Sequence, residues 1–195
     1  MAETESLRNT SGSGFKVTSG AIVCIADNST DMERFAGDVT IGTGCVLHPR
    51  VYISANGGHV DIGEGNIIEE QVKINNWLPD KGTMVIGNNN VFEVGCIIEA
   101  KAIGDNNVFE SKCYVGPEVT IGNGVTIGAK CSLTAPETIQ DLSVIYGENC
   151  DQRLANDKPT SQASQREFLS RILPNYHKLF KPNKPILETA ALNSM

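Results

Sequence analysis

Large aliphatic or aromatic residues return at every sixth position across residues 103–150. A period of six fits neither an amphipathic helix nor an alternating strand. It is typical of a parallel β-helix, in which each hexad supplies one short strand and a turn, and three hexads complete a coil. We predict that these side chains fill a narrow core, each contributing roughly 1.5–3 kcal/mol on burial. They are Ile103, Phe109, Val115, Ile121, Ile127, Leu133, Ile139 and Ile145.

The same period extends back to Val17, with interruptions at residues 56–59 and 77–82. Counting the hexads predicts about six coils across residues 15–150. The stretch 27–34 keeps the period but is too polar for a core, so we expect a surface excursion there. The turns support this register, because five hexads carry Gly or Asn at the fourth position, where a positive φ is expected. These residues are Gly44, Gly65, Asn89, Asn106 and Gly124.

The residues outside the repeat differ in composition. Residues 1–14 are polar and rich in Ser and Gly, and we expect them to be disordered. Residues 151–161 are predicted to be a linker and residues 181–195 a flexible tail. Between them, apolar residues at helical spacing predict a C-terminal helix over residues 162–180, packed on the solenoid. Ser161 or Ser164 is expected to cap this helix, and Pro174 to kink or interrupt it.

Phe168, Ile172 and Tyr176 lie at i, i+4 and i+8 of the predicted helix and therefore share one face. We predict that they dock the helix or bind a partner. Trp77, in the second interruption, is a further candidate contact residue.

Composition narrows the function classes. The net charge of −7 argues against binding to a nucleic-acid backbone. No stretch approaches the roughly 20 apolar residues of a membrane span, and the N-terminus lacks an apolar signal region, so we expect a cytoplasmic protein.

Cysteine and asparagine fall mainly at structural positions of the hexad. Cysteines at 45, 96, 113 and 131 occupy the fifth position, which points inward beside a corner and accepts only small residues. Cys113 and Cys131 are expected to stack on neighbouring coils. Asn90 and Asn107 occupy the same position, where stacked amides can bond along the coil axis. No Cys-x2-Cys pair indicates a zinc site.

Hexapeptide β-helices are also used by gamma-class carbonic anhydrases and by acyltransferases, both of which need histidine chemistry. The chain has His48, His59 and His177, with no His-x4-His pair for the three-ligand zinc site. His48 is expected to face outward and His59 to lie in a Gly-rich turn, and neither has an identifiable catalytic partner. The carboxylates at 69, 70, 93, 99 and 110 are interpreted as a solvated acidic face. We predict no catalytic, cofactor or metal residues.

Four segments resemble the dynactin subunit 6 family of the hexapeptide-repeat, gamma-carbonic-anhydrase-like superfamily. They are IGEGNIIEEQ (62–71), IGNNNVFEVGC (86–96), GDNNVFESKCYVG (104–116) and FLSRILPNYHKLFK (168–181). The family's Arg-Gly-Asp before Val-Thr-Ile-Gly is replaced here by Phe35-Ala36-Gly37-Asp38. The resemblance implies an all-β solenoid with left-handed coils and a non-catalytic role in the pointed-end complex of dynactin.

The resemblance also implies partners: dynactin subunit 5, a homologous β-helix, and other pointed-end subunits including an actin-related protein. Dynein and cargo adaptors would be reached indirectly, so the predicted role is to support transport along microtubules from a cytoplasmic, cytoskeleton-associated location. The alternative is a homotrimeric enzyme of the carbonic-anhydrase or acyltransferase type. Because a β-helix exposes strand backbone at its ends, we also expect one end to be covered.

Overall fold

The computed structural model describes residues 6–8, 14–25, 34–78 and 82–180, with the backbone alone for 6–8. The predicted tail at 181–195 and residues 27–33 of the predicted excursion therefore lie outside the described residues. The chain forms a parallel β-solenoid of about six coils followed by one helix, as predicted. The strands are β1 Ser6–Arg8, β2 Gly14–Val17, β3 Ile22–Ile25, β4 Phe35–Ile41, β5 Val46–Leu47, β6 Tyr52–Ile62, β7 Ile67–Ile68, β8 Lys73–Asn75, β9 Met84–Ile86, β10 Val91–Phe92, β11 Ile97–Ile98, β12 Ala102–Ile103, β13 Val108–Phe109, β14 Tyr114–Val115, β15 Val119–Ile121, β16 Thr126–Ile127, β17 Ser132–Leu133, β18 Glu137–Ile139, β19 Ser143–Tyr146, β20 Asp151–Leu154 and β21 Lys178–Leu179; the helix α1 is Ala163–Tyr176.

The strands form a nine-stranded and a 12-stranded sheet. The nine-stranded sheet has the order β20-β19-β16-β13-β10-β7-β5-β3-β21 and makes one side of the solenoid. In the larger sheet, the first half of β6 pairs with β8 and its second half pairs with β9. That strand therefore bends across a corner, and the larger sheet supplies the other two sides.

The predicted core register is confirmed. Ile103 pairs with Ile121 and Ile121 with Ile139, while Phe109 pairs with Ile127 in the neighbouring coil. All eight predicted core residues are at most 6% exposed. Phe92 and Phe109 stack with ring centroids 4.7 Å apart. Local hexads thus align because each coil buries its apolar residue directly above the last.

The predicted left-handed turns are also confirmed, since all five named Gly and Asn residues have φ between 54° and 69°. The same conformation is adopted by residues that the pattern did not single out. The turn geometry is therefore imposed by coil stacking even where a Cβ makes it unfavourable. These further non-glycine residues are Arg50, Gln71, Lys112, Lys130, Leu142 and Cys150.

The interruption at 56–59 differs from expectation. It lies inside the continuous strand β6, so His59 is in a strand and not in a turn. A Cβ on Gly57 would lie 2.5 Å from the carbonyl oxygen of Asn76, so the close approach of the two backbones requires glycine there.

Strands that the sequence did not predict lie on both sides of the hexad repeat. In the segment expected to be disordered, β1 pairs antiparallel with β2. In the segment expected to be a linker, β20 pairs antiparallel with β19. The helix ends at Tyr176, two residues after Pro174, and β21 follows it where the helix was expected to continue. Gln162 occupies the N-cap position without a side-chain capping bond, and Ser161 Oγ accepts the Ala163 N–H at 3.4 Å.

Candidate interaction surface

Residues 151–180, here called the C-terminal strap, run from one end of the solenoid to the other. At the C-terminal end, β20 extends the nine-stranded sheet beyond β19. The strap then passes over Gly124, where a Cβ would lie 3.0 Å from Lys158 Cβ. At the N-terminal end, β21 pairs antiparallel with β3. The outermost parallel strands of that sheet, β19 and β3, are therefore each paired with a segment of the strap, which satisfies backbone groups that would otherwise be exposed.

The strap also closes the N-terminal end of the core with an aromatic side chain. Phe180 meets Phe15 edge to face, with ring centroids 5.3 Å apart, and Phe15 stacks on Phe35 at 4.6 Å. The Phe180 N–H donates to the carbonyl of Val23 at 2.8 Å. The expectation that an end is covered is met here by the chain itself.

Helix α1 docks through a different stripe from the one predicted. Leu173 is 7% exposed and packs with Cys24 and Val46, flanked by the half-buried Leu169. Phe168 and Tyr176 are 60% and 76% exposed, so they do not dock the helix, and Ile172 is half-buried. The two i, i+4 stripes are adjacent on the helix, and contact with the outer surfaces of β3 and β5 selects between them. Binding of a partner by Phe168, Ile172 and Tyr176 stays a prediction.

Arg166 anchors the helix at its other end. Its Nη1 donates to the carbonyl of Gly65 and to Asn89 Oδ1, both at 3.0 Å. These acceptors belong to left-handed turns of neighbouring coils. The polar depression beside Arg166 has a volume of about 630 Å³ and is lined by turn residues. Nothing in the sequence pattern marked Arg166, because its partners come together only when the coils stack.

Trp77 lies on another side of the solenoid from the helix, after β8. The residue is 49% exposed, and its Nε1–H donates to Glu99 Oε1 at 3.1 Å. The Tyr114 hydroxyl donates to Glu99 Oε2 at 2.8 Å. Burial and the Glu99 carboxylate both raise the pKa of Tyr114. One carboxylate therefore orients two aromatic side chains on an outer surface, an arrangement suited to protein contact. Trp77 as a contact residue stays a prediction.

The histidines are held by neighbouring side chains. His48 was expected to face outward but is only 8% exposed, and its Nδ1 lies 3.0 Å from Glu70 Oε1. Burial alone would raise the pKa of Glu70, but the bond from His48 and the charges of His48 and His177 bring it below its usual range. His59 lies 3.3 Å from Thr40 Oγ1 through Nε2. Among the described residues, no group of three His, Cys, Asp or Glu could hold a metal ion.

The acidic residues interpreted as a solvated face have a structural role. Glu69, Glu93 and Glu110 each accept a backbone N–H from the next coil, at 3.2, 2.9 and 2.9 Å, from Val94, Ser111 and Ala129 respectively. Burial raises the pKa of Glu69. These carboxylates therefore cap successive turns and form a ladder along one corner.

The expected amide ladder is confirmed. Asn66 Oδ1 accepts the N–H of Asn90 at 2.8 Å, and Asn90 Oδ1 accepts that of Asn107 at 2.9 Å. Asn107 Oδ1 continues the ladder to the Val125 N–H at 2.6 Å. The asparagines thus bond coil to coil inside the solenoid.

Among the described residues, no helix is both long enough and apolar enough to span a membrane.

Residues 101–135 match the family model described as bacterial transferase hexapeptide (six repeats). The structure is similar to UDP-N-acetylglucosamine O-acyltransferase from Moraxella catarrhalis, with a TM-score of 0.50 and 19% identity over 80% of this chain and 77% of that one. At this identity the likeness shows the fold alone.

Sequence relatives cover nearly the whole chain. It is 44% identical to dynactin subunit 6 of Xenopus tropicalis, over 95% of this chain and 97% of the relative. It is 42% identical to dynactin subunit 6 of Nematostella vectensis, over 87% and 94%. The corresponding protein of Danio rerio is also 42% identical, over 92% and 94%.

Proposed function

The chain belongs to the dynactin subunit 6 family, and we propose that it serves dynactin as a non-catalytic docking subunit. It is a subunit of the dynactin complex by this relationship. The proposal adds that its solenoid is a rigid surface for neighbouring subunits, in a cytoplasmic, cytoskeleton-associated assembly that supports dynein-driven transport.

The observation that carries the non-catalytic proposal is the engagement of the candidate catalytic groups in structural bonds. His48 is buried against Glu70, and His59 is held within a strand beside Thr40. The carboxylates at 69, 93 and 110 cap turns of the next coil. A general base needs a ring nitrogen that reaches a substrate proton. His48 Nε2, which has no hydrogen-bond partner among the described residues, is buried, and His59 Nδ1 is also buried and lies 3.1 Å from Asp38 Oδ2.

We propose that the C-terminal end of the solenoid is the docking end. Among the described strands, β18 pairs only with β15, so its outer edge has no strand partner. At the same end of the solenoid, Tyr146 on β19 and Leu154 on β20 expose 45% and 59% of their surfaces. An open strand edge next to exposed apolar side chains favours addition of another β-structure. The proposed occupant is dynactin subunit 5, which the family resemblance implies is a homologous β-helix and which would connect the chain to the actin-related protein.

Affinity purification of the tagged chain from cytosol tests the proposal. We expect dynactin subunit 5 and the actin-related protein to co-purify. Changing Tyr146→Glu together with Leu154→Glu is expected to reduce their recovery at least tenfold, because two charges would have to be desolvated at the contact. Val85→Glu is the matched control, since Val85 is 46% exposed but lies on β9, three strands away from β18 in the sheet order.

Unchanged recovery with the double variant would exclude the C-terminal end as the docking end. CO₂ hydration or acyl-CoA-dependent transfer by the purified chain, abolished by replacing His48 or His59, would overturn the non-catalytic assignment.

A further inference from the structure

Four cysteines form a column along one inner corner of the solenoid. Cys96 and Cys113 lie on neighbouring coils with their sulfur atoms 3.5 Å apart. Cys131 lies one coil further, because Tyr114 and Ser132, the residues that follow Cys113 and Cys131, are paired strand residues. Cys150 completes the column at the C-terminal end. All four are free thiols.

Cys150 takes the place that another coil would fill. The Ser132 N–H, on the terminal strand β17, donates to Cys150 Sγ at 3.2 Å. Cys150 has a φ of 55° and ends the turn between β19 and β20. Its side chain packs on the end of the core cluster, of which Cys131 is a buried member. The thiol of the hairpin turn is thereby held against the last complete coil.

The column is open to solvent at this end. Cys96, Cys113 and Cys131 are at most 1% exposed, whereas Cys150 is partly exposed. A small polar oxidant therefore meets the column first at Cys150. Oxidation of thiols in proteins follows their exposure as well as their thiolate character.

We propose that Cys150 is a site of modification by hydrogen peroxide, and that Cys131 resolves the oxidised form into a Cys131–Cys150 disulfide. In the first step, the Cys150 sulfur attacks one peroxide oxygen; the O–O bond breaks, giving Cys150 sulfenic acid and water. In the second step, the Cys131 sulfur attacks the sulfenic sulfur, the S–O bond breaks, and the Cys131 proton leaves with the hydroxide as a second water. Two thiols are oxidised, and one hydrogen peroxide is reduced to two waters.

The environment of Cys131 suits attack on the Cys150 sulfenic acid and not direct reaction with peroxide. Burial, followed by contact with the Cys150 thiol and the charge of Glu110, raises the pKa of Cys131 to about 11. Cys131 is therefore a thiol at neutral pH and reacts only with a partner already held beside it. The rate of disulfide formation is expected to rise as the pH is raised from neutral toward alkaline values.

The disulfide would tie the β19–β20 hairpin to β17. At present the Ser132 N–H is satisfied by a single sulfur contact at the end of the 12-stranded sheet. A covalent bond would fix that end of the solenoid in one arrangement. This inference rests on the thiol column and applies to the chain whose C-terminal end is uncovered, because the docking proposed above would cover that end.

Non-reducing peptide mapping of the full chain tests the inference. The reduced protein is desalted, treated with hydrogen peroxide, blocked with N-ethylmaleimide and digested without reductant. We expect a linked Cys131–Cys150 peptide in the wild type and an unchanged yield of it in Cys45→Ser. In Cys150→Ser we expect Cys131 to be recovered as its N-ethylmaleimide adduct after unfolding. Cys45 is the matched control because it is a buried thiol of the same hexad position in a different corner.

Three outcomes would overturn the inference. One is a disulfide between Cys96 and Cys113 in place of the expected bond. The second is Cys150 accumulating as sulfinic acid while Cys131 remains reactive to N-ethylmaleimide after unfolding. The third is that Cys131 and Cys150 of the peroxide-treated wild type are both recovered entirely as N-ethylmaleimide adducts, which would mean that neither thiol was oxidised. Because these measurements use the wild-type chain, they do not depend on the folding of a variant.

Discussion

Arg166 and Asn89 lie 77 positions apart and are joined by a hydrogen bond of 3.0 Å from guanidinium to amide oxygen. The bond connects the C-terminal strap to a left-handed turn of the solenoid, whose φ is 54° at Asn89. The turn exists because the coils stack, and the strap is positioned because the turn presents its acceptor outward. The strap and the solenoid therefore depend on one another.

Replacing Arg166 with Ala is expected to loosen the strap without unfolding the solenoid. The change removes two hydrogen bonds from a charged donor, worth roughly 1.5–3 kcal/mol each at most. Hydrogen exchange followed by mass spectrometry should show faster exchange in α1 and β21, with β13 and β16 unchanged. Arg171→Ala is the control, because its i, i+4 pair with Glu167 is exposed and contributes only about 0.5 kcal/mol. Equal exchange rates in α1 and β21 of both variants would show that Arg166 does not anchor the strap.

The residues that dock the helix can be tested with one leucine and one phenylalanine substitution. Leu173→Ala is expected to destabilise the docked helix by about 2–3 kcal/mol, since it leaves a cavity against Cys24 and Val46. Phe168→Ala is expected to change stability by less than about 0.5 kcal/mol because the side chain is exposed. Urea unfolding followed by circular dichroism measures both. A larger loss for Phe168→Ala would show that the helix docks through the originally predicted stripe.

The core register predicts opposite results for neighbouring residues of β15. Ile121→Asp would place a carboxyl group in the core and is expected to cost several kcal/mol, or to prevent folding. Thr120→Asp faces outward and is expected to cost less than about 1 kcal/mol. Soluble expression and thermal unfolding distinguish the two. A stable Ile121→Asp protein would be incompatible with the register.

The Glu70–His48 pair predicts a pH dependence of stability. The folded pKa of Glu70 lies below its unfolded value, so its contribution is fully present above about pH 4.3. That contribution disappears as the pH falls through the folded pKa, because the carboxyl is then protonated in both states. The unfolding free energy of Glu70→Gln should therefore fall below that of the wild type at neutral pH, and the difference should shrink on acidification.

Glu118→Gln is the control for this experiment, since Glu118 is exposed and its pH profile should follow the wild type. A stability difference for Glu70→Gln that stays constant from neutral to acid pH would show that the ionised carboxylate makes no net contribution. Urea titrations at several pH values measure both variants.

Part of the candidate site was visible in the sequence and part was not. The inward asparagines and cysteines were predicted because a small residue at the fifth position of a hexad has one environment, whatever the rest of the chain does. The stripe of Leu169 and Leu173 was not distinguished from that of Phe168, Ile172 and Tyr176. Both are apolar at i, i+4 spacing. The choice depends on which stripe meets Val46, which lies 127 positions before Leu173 in the chain.

The sequence by itself determined the repeat: the core residues from Ile103 to Ile145, the left-handed turns and the number of coils. It could do so because the inward positions of each hexad are set within that hexad, and the same pattern recurs in every stacked coil. Tertiary structure alone decided how the ends are closed. Strands β20 and β21 pair with edges that exist only after the coils have stacked, and Phe180 and Cys150 occupy the two ends of a core that no local segment contains.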